Sequence, residues 1–353
     1  MPKIDSYLEQ ALKQNASDLH FISGDPVRAR VHGNLQVISD ESLQTDTVEE
    51  TIFEIMDGVT RKAFEAEDAA DFAYEIPEVS RFRVNAFRHL NGIGAIFRAI
   101  PSKALTLEEL SMPKVVHDLC KYTQGMILVT GKTGSGKSTT LAAMIDAMNK
   151  RLKGHILTIE DPIEFVHRPQ GCLISQREIG VHSPSFAEAL HSAMREDPDV
   201  VLVGEMRDLE TISIAVTAAE MGILVMGTLH TNGSAQTVDR IINSFPADKQ
   251  SHIRTMISTS LRGVLSQQLL PTCDKPGRAA ALEIMINSPA ISNLIRQGKI
   301  DQLETAIQSG GGAGMKTMDG ALMDLVNKGR ITGHEAYLQA NNKSKFEKVK
   351  DIE

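Results

Sequence analysis

The second part of the chain, from about residue 126, alternates between short apolar runs and longer segments with helical spacing. The apolar runs read MILVT, HILTI, VVLVG and ILVMGT, and the helical segments occupy residues 138–152, 185–195 and 208–221. A continuous apolar run is typical of a strand that is buried on both faces. Strands that alternate with helices predict a parallel sheet covered on both sides, so we expect an α/β core here.

Residues 1–100 follow a different pattern. Apolar and polar positions alternate in VRARV (27–31) and RFRVNAF (81–87), which predicts strands with one buried face. Helical spacing covers residues 48–64, and the apolar positions near the N-terminus recur at every fourth residue. We therefore predict a separate α+β domain over residues 1–100.

A polar stretch that is bracketed by prolines separates the two patterns. Pro101 and Pro113 enclose it, and residues 101–114 are predicted to form an interdomain linker. The second predicted domain covers residues 115–353. Its last part is helical from about residue 290, and a glycine cluster at 310–314 interrupts the helical spacing.

Composition and charge argue against several classes of protein. The 353 residues carry a net charge of −8, and no nucleic-acid partner is expected because phosphate neutralisation needs a basic face. The three cysteines form no C-x-x-C pair, which indicates a reducing compartment. In the most apolar stretch, 212–229, Glu220 lies at the centre, so a helix followed by a strand explains it better than a transmembrane segment. We expect a cytoplasmic protein.

The sequence GKTGSGKS (131–138) matches G-x-x-x-x-G-K-[ST] and lies between an apolar run and a helical segment. Its glycines let backbone N–H groups turn toward phosphate oxygens, and the start of the helix adds a positive dipole. Lys137 is expected to contact the β- and γ-phosphates of ATP, and Ser138 to offer its hydroxyl to Mg²⁺. The predicted nucleotide-binding residues are Gly131, Thr133, Gly134, Ser135, Gly136, Lys137, Ser138 and Thr139.

Carboxylates follow two other apolar runs. Glu205 ends VVLVGE, where P-loop enzymes have a carboxylate that binds Mg²⁺ directly or through water. The stretch TIEDPIEF (158–165) follows HILTI, and the ends of such strands meet at the ligand-binding edge of the sheet. We predict that Glu164 orients the attacking water or acts as general base, with a purely structural acidic turn as the alternative.

A histidine ends the next apolar run, in GTLHTN (227–232). His230 is at the same edge of the sheet and suits a group that senses the γ-phosphate, although a lone histidine is more often structural. We count it with Glu164 and Glu205 as a candidate catalytic residue.

Arginines are candidates for bridging the nucleotide to a second rigid body, because the guanidinium group pairs with phosphate oxygens and stabilises transition-state charge. Some lie near the end of the first predicted domain, and rival candidates lie in motifs of the second. The alternative for each is a solvated charge on a strand. They are Arg81, Arg83, Arg88 and Arg98 in the first domain, and Arg195, Arg207 and Arg240 in the second.

These motifs, in this order, resemble the secretion ATPases of type II secretion and type IV pili. The resemblance covers residues from about 5 to 340 and rests on ASDLHF, RFRVNAF, the P-loop, TIEDPIEFVH, REDPDVVLVGEMRD and GTLHTN. Within that superfamily, the compact length and the segment 288–300 look most like the PilT family of pilus retraction ATPases. Ser292 and Gln297 differ from the retraction signature, which leaves an accessory retraction paralogue as an alternative.

The resemblance implies a PAS-like N-terminal domain, a RecA-like P-loop NTPase domain with a helical C-terminal extension, and a homohexameric ring. It also implies Mg²⁺-dependent ATP hydrolysis that drives pilus retraction and twitching motility at the inner face of the inner membrane. The implied partners are the platform protein of the pilus in the inner membrane and, as a further candidate, a paralogous retraction ATPase.

Three other functions are weaker interpretations. An extension or type II secretion ATPase is the alternative within the superfamily, but the short N-terminal region and the absence of paired C-x-x-C motifs argue against it. Acidic charge and scarce aromatic residues oppose a RecA-like nucleic-acid motor. Intact Lys137, Glu164 and Glu205 oppose a non-catalytic nucleotide-gated scaffold.

Overall fold

The chain folds into two units, Met1–Lys103 and Ala104–Glu353. The computed structural model describes residues 2–31, 33–100, 104–274 and 277–351. Among the described residues of the first unit, the helices are α1 (Lys3–Lys13), α2 (Thr45–Glu54) and α3 (Gly58–Glu67). The strands are β1 (Asp18–Ile22), β2 (Pro26–Val31), β3 (Asn34–Ser42), β4 (Ala69–Ile76), β5 (Ser80–His89) and β6 (Gly92–Ile100).

The first sheet is antiparallel, in the order β3-β2-β1-β6-β5-β4. Along β5, the side chains of Phe82, Val84 and Ala86 are buried while the residues between them are more exposed, as the alternation in RFRVNAF predicts. Ile4 and Leu8 of α1 join the same apolar core. The predicted strands with one buried face are confirmed.

The second unit contains a mostly parallel sheet. Its helices up to the last strand are α4 (Lys114–Leu119), α5 (Lys137–Arg151), α6 (Phe186–Ala193), α7 (Leu209–Glu220), α8 (Ser234–Asn243) and α9 (Gln250–Ser260). Its strands are β7 (Gly125–Thr130), β8 (His155–Glu160), β9 (Leu173–Glu178), β10 (Val200–Val203), β11 (Leu224–Leu229), β12 (Leu261–Pro271) and β13 (Arg278–Ile286). The order is β13-β12-β7-β11-β10-β8-β9, and among the described strands of this second sheet only the pair β12–β13 is antiparallel.

The sheet is buried on both faces, as the continuous apolar runs predict. On β7, Met126 and Leu128 belong to one hydrophobic cluster, whereas Ile127 and Val129 belong to the cluster on the opposite face. Successive side chains of a strand point to opposite faces, so two layers of helices are needed to cover this strand. The apolar stretch 212–229 falls on α7 and β11, and no helix in the described ranges is long and apolar enough to cross a membrane.

The last part of the second unit is helical. Its α-helices are α10 (Pro289–Gln297), α11 (Leu303–Ser309), α12 (Met318–Asn327) and α13 (Gly333–Gln339). The glycine cluster 310–314 ends α11 in a 3₁₀ turn, and Gly314 has φ +83°, which a side chain rarely tolerates. Within the predicted linker 101–114, residues 101–103, Pro101 included, lie outside the described residues, and α4 begins at Lys114.

Candidate functional site

The phosphate loop joins the end of β7 to the start of α5. Gly131, Gly134 and Gly136 all have positive φ, so the backbone there needs glycine. The Lys137 Nζ donates hydrogen bonds to the carbonyl oxygens of Gly131 (2.9 Å) and Lys132 (3.2 Å). Burial lowers the pKa of Lys137, and the nearby carboxylates of Glu205 and Glu164 oppose that shift.

The strand order brings the predicted motifs to one edge of the sheet. Strands β7, β11, β10 and β8 are parallel neighbours, so the residues that follow them meet at their carboxyl ends. A cavity of about 460 Å³ lies there. The predicted residues that line it are Thr133, Gly134, Gly136, Lys137, Ser138, Thr139, Glu164, Glu205, Arg207 and His230.

Glu205 lies between an arginine and a histidine. Its Oε1 accepts a hydrogen bond from the Arg207 Nε and lies 3.1 Å from the His230 Nε2. Burial would raise the pKa of Glu205, but the hydrogen bond from Arg207 and the electrostatic contacts with His230 and Arg207 outweigh it and lower the pKa. The carboxylate is therefore held in its charged form, as a metal-binding group requires.

Two glutamates of the acidic stretch at the end of β8, Glu160 and Glu164, have different surroundings. Glu160 accepts hydrogen bonds from the Thr158 hydroxyl (2.7 Å) and the Gln176 Nε2 (3.3 Å), and the Glu164 N–H approaches it at 3.4 Å. Burial raises the pKa of Glu160 above its ordinary value. The Glu164 side chain is exposed and lines the cavity. Glu160 thus holds the turn, and Glu164 is left facing the ligand space.

The oxygen donors that line this cavity suit a Mg²⁺ ion that is also bound by nucleotide phosphates. The Ser138 hydroxyl and the Glu205 carboxylate are oxygen ligands of the kind that Mg²⁺ prefers, and both line the cavity. Within the described ranges, no group of three or more His, Cys, Asp or Glu side chains could hold a metal. Mg²⁺ commonly binds through one or two protein oxygens, substrate phosphates and water, which matches the donors present.

The candidate arginines separate into those in the cavity and those outside it. Arg207 lines the cavity, and 74% of its side chain is exposed. Arg195 lies outside it, where its Nη1 is 3.0 Å from the His191 Nδ1, and Arg240 is exposed on α8. The spacing of the REDPDVVLVGEMRD motif could not separate Arg207 from Arg195, because that distinction depends on the turn after β10.

The four arginines of the first unit lie on its sheet. Arg98 pairs with Asp18 (2.9 Å), Arg88 with Asp68 (2.7 Å), and the Arg83 Nε lies 3.9 Å from Asp71. Arg81 lies beside Glu75 in the register of β4 and β5. In three of these arginines the guanidinium group lies beside a carboxylate, which would compete with a phosphate for its N–H donors.

Comparison with known proteins assigns the family. The sequence matches the family "Type II/IV secretion system protein" over residues 1–331. It is 51% identical over 343 residues to the type IV pilus retractation ATPase PilT of Pseudomonas aeruginosa, covering 97% of this chain and 99% of that protein. It is 37% identical to the type IV pilus ATPase PilU of the same organism, over 96% and 89% of the two chains.

The chain belongs to the type II/IV secretion ATPase family. Its fold matches a crystal structure of the pilus retraction motor PilT with bound ADP at a TM-score of 0.92 and 39% identity, covering 98% of this chain and 99% of that one. These comparisons confirm the predicted family, the fold of an N-terminal domain followed by a RecA-like ATPase domain, and the prediction of an ATP-hydrolysing enzyme.

The site of this secretion ATPase includes residues that the motifs did not indicate. Phe186, Leu269 and Arg278 line the same cavity as the phosphate loop. Leu269 and Arg278 come from β12 and β13, which were not predicted as strands. The apolar residues of LRGVLSQQLLP fall in adjacent pairs and do not alternate with polar ones, so periodicity did not indicate a strand there.

Proposed function

We propose that this chain is the ATP-hydrolysing motor of type IV pilus retraction. The observation that carries the proposal is the 51% identity to a retractation ATPase over nearly the whole of both chains. Identity to the PilU protein is lower, at 37%, which favours the retraction motor over an accessory paralogue. The direction of the motor rests on this similarity, since a nucleotide cavity alone does not specify retraction.

The cavity suggests how ATP is held and hydrolysed. We assign the phosphates to the loop 131–136 and to the Lys137 ammonium, which would exchange its two carbonyl contacts for phosphate oxygens. Ser138 and Glu205 would hold Mg²⁺, with Glu205 acting partly through water. The metal supplies neutralisation of charge on the phosphates when it is bound.

Glu164 is the best candidate for orienting the attacking water. Both Glu160 and Glu164 line the cavity, but the Glu160 carboxylate is occupied by hydrogen bonds within the turn, whereas the Glu164 side chain is exposed. A general base must have a free lone pair within reach of the water it activates. His230 and Arg207 both contact Glu205, so both are placed to respond when a γ-phosphate draws one of them away.

A single substitution tests the role of Glu164. Glu164→Gln should bind ATP as the unaltered chain does and should lower turnover by about 10²-fold or more, the range expected for a lost general base. Glu188→Gln on α6, an exposed carboxylate outside the cavity, is the matched control. Turnover of the Glu164 variant at the rate of the control would refute this assignment.

We further propose that the working form is a homohexamer at the inner face of the inner membrane, acting on the platform protein of the pilus. ATP turnover produces movement only if a second rigid body responds to the phosphates, and arginines of a neighbouring subunit are suited to that task. Light scattering with and without ATP tests the ring. Monomer alone at micromolar concentration under both conditions would contradict it.

A further inference from the structure

A buried glutamine reaches the phosphate loop from the neighbouring strand. Gln267 lies on β12, which pairs with β7 in parallel, and only 3% of its surface is exposed. Its side-chain Nε2 donates a hydrogen bond of 2.7 Å to the Ser135 carbonyl oxygen. Its Oε1 accepts one of 2.7 Å from the Thr140 hydroxyl in the first turn of α5. One amide thus connects the loop, the helix and the sheet.

Two of the loop glycines pack directly on this residue. A Cβ at Gly136 would lie 2.8 Å from the Gln267 Nε2, and a Cβ at Gly131 would collide with the Gln267 carbonyl oxygen. Real Cβ contacts are not found at such distances. These glycines therefore allow the loop to approach β12 closely, in addition to allowing its backbone conformation.

The bond to Ser135 determines the direction of a neighbouring N–H group. The peptide unit is planar and trans, so the Ser135 C=O and the Gly136 N–H point in opposite directions. Gln267 holds the Ser135 carbonyl group toward β12, so the Gly136 N–H group points away from β12. Gly136 lines the cavity, where a backbone donor with this orientation is available to a phosphate oxygen.

We propose that Gln267 is a positioning residue for nucleotide binding, and that it acts by fixing the peptide between Ser135 and Gly136. The role needs a neutral amide, because one end must donate to a carbonyl and the other must accept from a hydroxyl. Glutamate would place an acceptor against the Ser135 carbonyl, and methionine would fill the space with neither group. The inference rests on the nucleotide site of the proposed function and adds a residue to it.

Steady-state ATPase kinetics and ADP titration of Gln267→Met and Gln267→Glu test the role. We expect KM for ATP and Kd for ADP to rise by about tenfold in the methionine variant and further in the glutamate variant. We expect kcat to change by less than about threefold, because the loop contacts the phosphates in both the ground state and the transition state.

Two controls separate positioning from loss of stability. Leu270→Ala, on the same strand but packed in the cluster of the C-terminal helices, should lower the melting temperature and leave KM and the ADP affinity unchanged. Thr140→Val should also raise KM. The double variant Thr140→Val with Gln267→Met should raise KM by less than the product of the two single fold-changes, because both substitutions remove the same hydrogen bond.

The outcomes are distinct. Wild-type ADP affinity and KM in Gln267→Met would overturn the positioning role, and so would an equal rise in KM in Leu270→Ala. Failure of the unaltered chain to hydrolyse ATP would contradict the proposed function. It would leave the role of Gln267 testable, because the ADP titration does not depend on turnover.

Discussion

A buried carboxylate links the loop after β11 to the C-terminal helices, and its removal has a calculable cost. Glu283 on β13 is 5% exposed. Its Oε1 accepts a hydrogen bond of 2.6 Å from the Ser234 N–H, and its Oε2 accepts one of 3.2 Å from the Met318 N–H. Ser234 begins α8 and Met318 begins α12, and a negative charge is favourable at both helix starts.

Glu283→Ala would leave both buried N–H groups without this acceptor. A hydrogen bond to a charged group contributes about 1.5–3 kcal/mol, so the two bonds together represent about 3–6 kcal/mol. For a domain of this size, each ~1 kcal/mol lowers the melting temperature by about 2–4 °C. We therefore expect the melting temperature to fall by roughly 6–24 °C. Glu283→Gln keeps one acceptor oxygen and should lose less.

Thermal unfolding followed by calorimetry measures the effect. Glu304→Ala, an exposed carboxylate on α11, is the matched control. A melting temperature of Glu283→Ala within about 2 °C of this control would refute the reasoning. Ser234 follows the loop that carries His230. At temperatures below the unfolding transition, we therefore also expect the ATPase activity of Glu283→Ala to be reduced, and that of the control to be unchanged.

Three other predictions concern the ATPase unit. Lys137→Ala should lose ATP hydrolysis and most ATP affinity, because the ammonium group is the main cation of the loop; ATP binding at the wild-type level would contradict this. Burial raises the pKa of Glu160, so this carboxyl group binds a proton more tightly in the folded state than in the unfolded state. The contribution of Glu160 to the free energy of unfolding therefore falls as the pH rises above the pKa that it has in the unfolded chain. Glu160→Gln should therefore raise the melting temperature more at about pH 8 than at about pH 4, in nucleotide-free thermal scans, and equal shifts would count against it. Ser292→Arg combined with Gln297→Glu should change ATPase activity by less than about threefold and alter only fibre shortening, so a larger loss of hydrolysis would exclude a role limited to coupling.

The sequence predicts those parts of the fold that depend on local patterns. The apolar runs on β7, β8, β10 and β11 identify buried strands, and the glycine loop identifies the nucleotide edge. Strand β9 was not predicted because LISQRE is mostly polar and lies at the edge of the sheet. Strands β12 and β13 were not predicted because their side chains include Gln267 and Glu283, which resemble solvent-facing residues in a sequence and are buried in the fold.

The different roles of Glu160 and Glu164 also depend on tertiary contacts. Glu160 and Glu164 occupy the same acidic stretch, and the hydrogen bonds from Thr158 and from Gln176 on the neighbouring strand show that Glu160 is the one held within the turn. The pairing of Arg207 with Glu205 is set by the turn after β10. The motifs therefore predict which segments meet in the site, whereas individual roles follow from hydrogen bonds between distant segments.

If this chain is the proposed motor, ATP hydrolysis in the cavity drives pilus retraction. Fluorescence imaging of labelled pili, in cells that carry Glu164→Gln in place of the unaltered chain, tests it most directly. We expect that fibres are still built and displayed but do not shorten, because the variant binds ATP without hydrolysing it. Shortening at the unaltered speed would contradict the claim, and so would a complete absence of fibres, which would indicate a motor that builds pili.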